Sequence, residues 1–466
     1  MNDSAVGIDI GTTAVKAIVV TGDAEVSYER SIPHNLISPT AGFAEEDPSV
    51  WWNSVKELLG DIARHMDTTR IGGLCFTGMV PTLILLDGSG TALGNSIQQN
   101  DARAVEEIAE WKTRVDAKEY LNKTGNSVNQ QVIFPKFEWL RKHRPDQTQK
   151  ARYLVGSYDY CAYRLTGRLS LEENWALESG MWLVGERDWH RELLAEIGIH
   201  QSMLPPVRKP HEIQGYTSKD VENETGFPSG VPVLAGVADH VASALATGVQ
   251  DEGDLLLKLG GAGDVLFATR DLRVDARLFI DYHPIPGRYL INGCMASSGS
   301  VVKWFLDIAQ IQDVDSVTEE AKKLPPGSDR LMALPYFLGE KTPIFDVNAR
   351  GVFLGLTLSH SRAHMFRAIL EAVAFGFRHH IETLQDMGLD VRRVTLSNGG
   401  ARSPLWRQVV VDVIGYDAMY VPDHPGSCIG AAFVALEALG ISKDWGALQR
   451  FLKKGTKVEY SEERHA

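Results

Sequence analysis

Two stretches of this chain follow one plan. Residues 5–20, "AVGIDIGTTAVKAIVV", and residues 254–269, "DLLLKLGGAGDVLFAT", each read as an apolar strand, a tight turn of glycine or hydroxyl residues, and a second apolar strand. The recurrence reads as an internal repeat and predicts two halves built alike, with a boundary near residue 245. Helical patterns lie between and after these units, which makes the class α/β. "DPSVWWNSVKELLGDIARHM" has Asp47 as N-cap and Pro48 at the first helical position. "ARAVEEIAEWKTRV" and "FPKFEWLRKH" read as helices, "VRRVTLSNGGARSPLWRQVVVDVIG" as strand, glycine turn and helix, and "CIGAAFVALEALG" as a helix of small residues.

Charge narrows the partners. The chain carries 47 Lys plus Arg against 60 Asp plus Glu, a net charge of -13. A general nucleic-acid binder would instead show a basic face, so no nucleic-acid partner is expected. A small anionic ligand stays compatible, because a local site can differ from the net field. No run of about 18 apolar residues occurs, so no membrane span is expected. The opening "MNDSAVGIDIGTT" lacks the basic and apolar regions of a secretory leader. Cys75, Cys161, Cys294 and Cys428 lie far apart without metal-ligand spacing and are expected to be reduced thiols of a cytoplasmic protein.

Three glycine turns follow apolar strands: Gly11-Thr12-Thr13, Gly260-Gly261-Ala262-Gly263 and Gly399-Gly400-Ala401. Such turns can present backbone N–H groups to phosphate oxygens. Neither a GxxxxGK[ST] loop nor a strand-to-helix GxGxxG is present, so other nucleotide-binding plans fit poorly. The segment "VPVLAGVADHVASALATGV", residues 231–249, is small and apolar except for Asp239 and His240. A carboxylate in apolar surroundings is costly unless compensated. A helix beginning here would compensate it through its N-terminus, so Asp239 reads either as a helix cap or as a base placed to take a proton from a hydroxyl. His240 is expected to point elsewhere on that helix and receives no role. His360 and His364 in "HSRAH" share a helix face, but no Glu follows as in HExxH, and metal binding is not expected.

The segment "GIDIGTTAVKAIV" resembles the first phosphate segment of the actin-like, sugar-kinase and heat-shock ATPase superfamily. "FPKFEWLRKH", with Lys136, Trp139 and His143, and "GVFLGLTLSHSRAHMFRAILEAVAF" resemble the two signatures of the FGGY carbohydrate kinases. "PYFLGEKTPIFDVNARGVFLGL" is similar to a segment of the xylulokinase-like and gluconokinase-like members. The resemblance implies two actin-like (ribonuclease H-like) domains flanking a catalytic cleft, 1–245 with sugar site, first phosphate segment and catalytic Asp, and 246–466 with second phosphate segment and adenosine site. It implies transfer of the γ-phosphoryl of ATP to a hydroxyl of a small sugar or polyol.

By that resemblance Asp239 is the general base and Asp9 holds Mg²⁺. Gly11, Thr12, Thr13 and Lys16 meet the phosphates, Gly260, Gly261 and Gly263 form the second phosphate loop, and Gly399, Gly400, Ala401 and Ser403 meet the adenosine. Trp406 reads as a packing residue. Asn100, Asp101 and Arg103 fall on the family's NDxR run, which makes Asp101 the candidate for holding sugar hydroxyls, with Met79 also at the sugar site; an N-cap for a helix starting at Ala102 is the alternative for Asp101. The sequence departs from the pattern at Gly261 and Ala262, where a threonine and often a serine are usual. It departs again at Pro81 and Gln99, where xylulokinases carry His and Trp, and at Met79 and Val80, which replace Gln and Met. A ketopentose such as xylulose is the expected acceptor, with ribulose, a tetritol or gluconate as alternatives. An actin-like nucleotide switch without acceptor would share the first phosphate segment but leaves Asp239 and "NDAR" unexplained. A homodimer is compatible with the resemblance, dimers being common in the family.

Overall fold

The structure, a computed structural model, describes residues 3–422, 426–442, 444–448, 450 and 455–465. The chain forms two compact units. One comprises Met1–Ala246, Asp281–Pro286 and Pro425–Arg450, the other Thr247–Ile280, Gly287–His424 and Phe451–Ala466. The sequence suggests a single boundary near residue 245. The first run does end at Ala246, but two later stretches return to the first unit.

The first unit is built on a seven-stranded sheet. Its spatial order is Ile213–Tyr216, Pro232–Leu234, Ile71–Gly78, Ser4–Ile10, Ala14–Thr21, Val26–Pro33, with Val237–Ala238 also pairing with Ile71–Gly78. The opening hairpin pairs antiparallel, Asp9 opposite Lys16, and its first strand runs parallel to Ile71–Gly78. That central strand, "IGGLCFTG", is buried at every residue, as a strand covered on both faces must be. Helix Pro48–His65 starts where the sequence places it: the Asp47 carboxylate accepts from Ser49 N at 2.8 Å, and Trp51, Trp52, Val55, Leu58, Leu59 and Ile62 form its buried stripe.

Helix Ser427–Ala438 explains its small residues by where it packs. A Cβ on Gly7 would collide with the Cys428 carbonyl, and one on Gly430 with the Ala242 carbonyl. Strand Ser4–Ile10 and helix Asp239–Ala246 therefore approach this helix backbone to backbone, which only glycine allows.

The second unit repeats the plan. Its seven-stranded sheet runs Phe279–Tyr282, Tyr289–Met295, Gly263–Thr269, Asp254–Leu259, Arg393–Ser397, Ala418–Tyr420, Thr456–Val458. The hairpin Asp254–Leu259/Gly263–Thr269 is antiparallel, and its first strand again runs parallel to a later one, Arg393–Ser397. The 25-residue helix Arg362–Asp386 supplies Phe366, Ile369, Leu370, Val373, Phe377 and Ile381 to the core below.

Candidate active site

Three parallel strands of the first unit end in register. Asp9 aligns with Thr77 and Ile10 with Gly78, while Val237 aligns with Thr77 and Ala238 with Gly78. The residues that follow, Gly11-Thr12-Thr13, Met79 and Asp239, are thereby brought to one edge of the sheet. Ligand-binding residues of open α/β sheets gather at this end of their strands. Gly11 N donates to Ala14 O at 3.1 Å and closes the turn; Thr12 is half-buried and Thr13 exposed. The Asp9 carboxylate accepts from the Ser427 hydroxyl at 2.5 Å. Lys16 sits opposite Asp9 in the hairpin register, and its Nζ lies 2.6 Å from Glu29 Oε1 on the neighbouring strand.

Asp239 is the first residue of helix Asp239–Ala246. Its side chain is 40% exposed, so solvent or substrate reaches the carboxylate. Its Oδ1 accepts from His240 N at 2.6 Å. His240 does not point elsewhere, as periodicity alone suggests. Its Nδ1 turns back to 3.4 Å from the same Oδ1, and its Nε2 lies 2.9 Å from Asp281 Oδ2 and 3.8 Å from Glu178 Oε1. Burial works against charge on His240, but Asp281, Asp239 and Glu178 outweigh it and raise its pKa well above the ordinary histidine value. Burial, then the charge of Asp281, pushes Glu178 well above the usual carboxylate range. Glu178, His240 and Asp281 hold ligand-type atoms within 4.8 Å of one another. With Nε2 hydrogen-bonded to Asp281, the set is an ion-pair cluster. No residue-type motif points to it, because its members come from three separate stretches of chain.

Asn100, Asp101 and Arg103 are brought together, but not as a row of sugar contacts. Asn100 is exposed and its carbonyl accepts from Gln130 Nε2 at 2.6 Å. Asp101 Oδ2 accepts from Ala44 N at 2.6 Å and Arg103 Nη2 at 2.8 Å; Oδ1 accepts from Arg103 N at 3.0 Å and Arg103 Nε at 2.8 Å. A carboxylate offers about four acceptor sites, and all are filled. Asp101 thus clamps Arg103 instead of presenting free oxygens to a sugar. The cap alternative fails as well, since the helix starts at Val105. Arg103 is also bound to Glu45 at 2.7 Å and lies over Phe43 and Trp139. The first signature supports this segment. Lys136 donates to the carbonyls of Gln98 at 2.9 Å and Gln99 at 3.0 Å, and burial lowers its pKa to about 7.

In the second unit the Gly260-Gly261-Ala262 turn caps a helix. Gly260 O accepts from Gly299 N at 2.7 Å, and Gly261 O from Ser298 N at 2.8 Å and Ser300 N at 3.1 Å. The hydroxyls of Ser297, Ser298 and Ser300 are buried without a hydrogen-bond partner in the described structure. The sequence reading missed this "SSGS" run; its signal was three hydroxyls around a glycine directly after the strand Tyr289–Met295. Gly263 packs close to Phe377 and Met295. Gly399, Gly400 and Ala401 form a single helical turn after Arg393–Ser397, and Ser403 caps helix Pro404–Ile414. Trp406 is 4% exposed and would collide with a Cβ on Gly400, so it is a packing residue. His364 bonds Ser361 and Asp329, and His360 bonds Thr357, which accounts for both histidines without a metal. Glu371 of the second signature accepts from Gly327 N, Ser328 Oγ and Arg367 Nε.

Family models agree with this architecture. The model of the N-terminal domain of the FGGY carbohydrate kinases matches residues 4–246, and that of the C-terminal domain residues 260–439. The chain belongs to the FGGY family of carbohydrate kinases. It is a sugar kinase of a family that uses ATP. The xylulose kinase of Staphylococcus xylosus is 28% identical over 433 residues, 92% of this chain and 90% of its own, and the gluconokinase of Bacillus subtilis is 26% identical over 454 residues, 94% and 88%. The crystal structure of xylulose kinase from Rhodospirillum rubrum matches with a TM-score of 0.93 and 39% identity, covering 99% of this chain and 95% of that one. The expected two actin-like domains are therefore present. Among the described residues no helix is long and apolar enough to cross a membrane.

Proposed function

We propose that this FGGY kinase transfers the γ-phosphoryl of ATP to a hydroxyl of xylulose, with Asp239 as general base. The observation that carries the reading is the position of Asp239: a half-exposed carboxylate on the first residue of a helix, at the strand-end edge shared with Asp9 and the Gly11–Thr13 turn. As the sugar oxygen attacks phosphorus, its O–H bond breaks and the proton passes to Asp239, while the bond to ADP opens. Phosphoryl transfer depends on positioning and charge neutralisation more than covalent chemistry. Gly11 brings backbone N–H groups near the phosphates, Thr12 and Thr13 add hydroxyls, and Lys16, opposite Asp9 in the hairpin, adds a positive charge that Glu29 partly offsets.

Asp9 fits the Mg²⁺ role, because a carboxylate beside a hydroxyl-bearing turn supplies the hard oxygen donors that ion prefers. Bound there, Mg²⁺ would neutralise phosphate charge. Gly260, Gly261 and Gly263 form the second phosphate segment, where the Ser297, Ser298 and Ser300 hydroxyls replace those missing at Gly261 and Ala262. Gly399, with nothing within 4 Å of where a Cβ would stand, makes room for adenosine, Gly400 and Ala401 complete that turn, and Ser403 fixes the following helix. Asn100 and Met79 border the sugar, and the buried Asp101–Arg103 clamp holds the segment that carries Asn100.

The names of the relatives support xylulose, although Pro81 and Gln99 remove two polar or aromatic groups that the xylulokinase pattern carries. A coupled ADP assay with Mg²⁺ and a panel of xylulose, ribulose, tetritols, glycerol and gluconate tests the acceptor. Xylulose is expected to give the highest kcat/KM. A tenfold preference for another member would replace it, and steady ATP hydrolysis indifferent to every sugar would remove the kinase reading of the site.

A further inference from the structure

Both ring nitrogens of His240 face carboxylates. Nδ1 is 3.4 Å from Asp239 Oδ1, and Nε2 is 2.9 Å from Asp281 Oδ2 with Glu178 Oε1 at 3.8 Å. A neutral imidazole has one N–H and one lone pair, so it would aim that lone pair at an anion on one side. The doubly protonated ring satisfies both sides. Its surroundings demand the same. Asp281 and His240 side chains are 1% and 13% exposed, and Glu178 is 12% exposed. Glu178 Oε1 and Asp281 Oδ1 are buried with no hydrogen-bond donor. Beyond Glu178 stands a further buried acid, Glu172, which accepts from Tyr158 Oη, Asn174 N and Trp175 N. No arginine or lysine pairs with Glu178, Asp239 or Asp281 among the described residues. The imidazolium is thus the cation that balances Asp281, and buried charges persist only when balanced.

We infer that His240, held as an imidazolium by Asp281, is a positioning residue that orients the Asp239 carboxylate for proton abstraction. The inference rests on Asp239 being the general base. Both the backbone N–H and the ring of His240 engage Oδ1, while Oδ2 receives no hydrogen bond from the described protein. The arrangement fixes which oxygen is offered to the sugar hydroxyl. Asp281 lies on a short stretch far along the chain from the Asp239 helix, so the pair ties Asp281–Pro286 to the catalytic edge within the first unit.

Two measurements test this. In protein labelled with ¹⁵N-histidine, long-range ¹H–¹⁵N spectra, assigned with His240→Asn, should show protons on both His240 nitrogens from pH 6 to 8. Asp281→Asn should bring deprotonation of that ring to lower pH by about one unit. A ring that is neutral at pH 7 in the unsubstituted enzyme overturns the inference. The second is the pH profile of kcat/KM for sugar. His240→Asn should remove the basic limb set by deprotonation of the ring and lower kcat about tenfold below that limb, with KM for ATP unchanged. A profile superposable on that of the unsubstituted enzyme overturns it. Asp239→Asn separates the two levels. If it is inactive while the His240→Asn profile is unmoved, only the role of His240 fails; if it retains sugar-dependent turnover, the base assignment fails and the role of His240 with it.

Discussion

Asp101→Asn tests whether that carboxylate is a clamp or a sugar ligand. The carboxylate takes four N–H donors, three of them from Arg103 and one from Ala44. The two side chains are almost completely out of water, 0% exposed for Asp101 and 3% for Arg103. An amide in the same place keeps one accepting oxygen and turns an NH₂ toward N–H groups, so about two charge-assisted bonds are lost. Such bonds contribute about 1.5–3 kcal/mol each, and breaking one side of a buried ion pair costs about 3–5 kcal/mol. Glu45 remains on Arg103 at 2.7 Å and limits the loss. The expected destabilisation is therefore about 3–5 kcal/mol. At about 2–4 °C per kcal/mol for domains of this size, the melting temperature should fall by about 6–20 °C. Calorimetry on the apoenzyme, alongside KM for the sugar, reads both quantities. A variant that melts within about 2 °C of the parent while its sugar KM rises more than tenfold would refute the clamp, since the carboxylate would then be giving its bonds to sugar.

The glycines of the first unit's core should be far less tolerant than the exposed one in the second. Gly7→Ala and Gly430→Ala drive a Cβ into the Cys428 and Ala242 carbonyls and should cost about 1–3 kcal/mol or more, read by urea unfolding. Gly399→Ala meets nothing within 4 Å, so it should keep its melting temperature while raising KM for ATP; an unchanged KM would remove Gly399 from the adenosine segment. Asp159 is wholly buried, and burial lifts its pKa to about 8, with the Gly156 and Glu172 N–H groups acting the other way. Its folded pKa lies above the unfolded value, so its contribution is fully present below about pH 4 and is lost as the pH rises through about 8. Asp159→Asn loses an acceptor at every pH, but it should gain on the parent by up to about 1.4 kcal/mol per pH unit across that window. Urea titrations at pH 5, 6.5 and 8 that run parallel would refute the shift.

Much of the fold was legible because it is local. The two hairpins announced themselves through apolar runs around glycine turns, and both became the antiparallel centres of their sheets. The Asp47–Pro48 helix start also held, since capping is decided within a few residues. The sequence did not reveal that helix Ser427–Ala438 returns to the first unit; its small residues signal close approach without saying to what. The site divides in the same way. Gly11, Met79 and Asp239 follow strands whose common register brings them to one edge, a regularity that motif positions already carried. Asp101 looked like a substrate ligand because its partners lie elsewhere: Ala44 is 57 residues away, and Lys136 reaches the segment through backbone carbonyls. His240 looked idle because helical periodicity describes where a Cβ starts, whereas its ring is drawn back by Asp281, 41 residues on.

The central claim is that Asp239 takes the proton of the attacking sugar hydroxyl, and Asp239→Asn measured in a sugar-dependent ADP assay tests it most directly. General-base catalysis contributes about 10²–10⁴-fold. The substitution changes a side chain that is 40% exposed, so the fold should survive it. The account predicts that kcat drops by about 10²–10⁴ while the KM for ATP and the melting temperature stay close to those of the parent. Sugar-dependent turnover at the parental rate in a folded Asp239→Asn enzyme would contradict it.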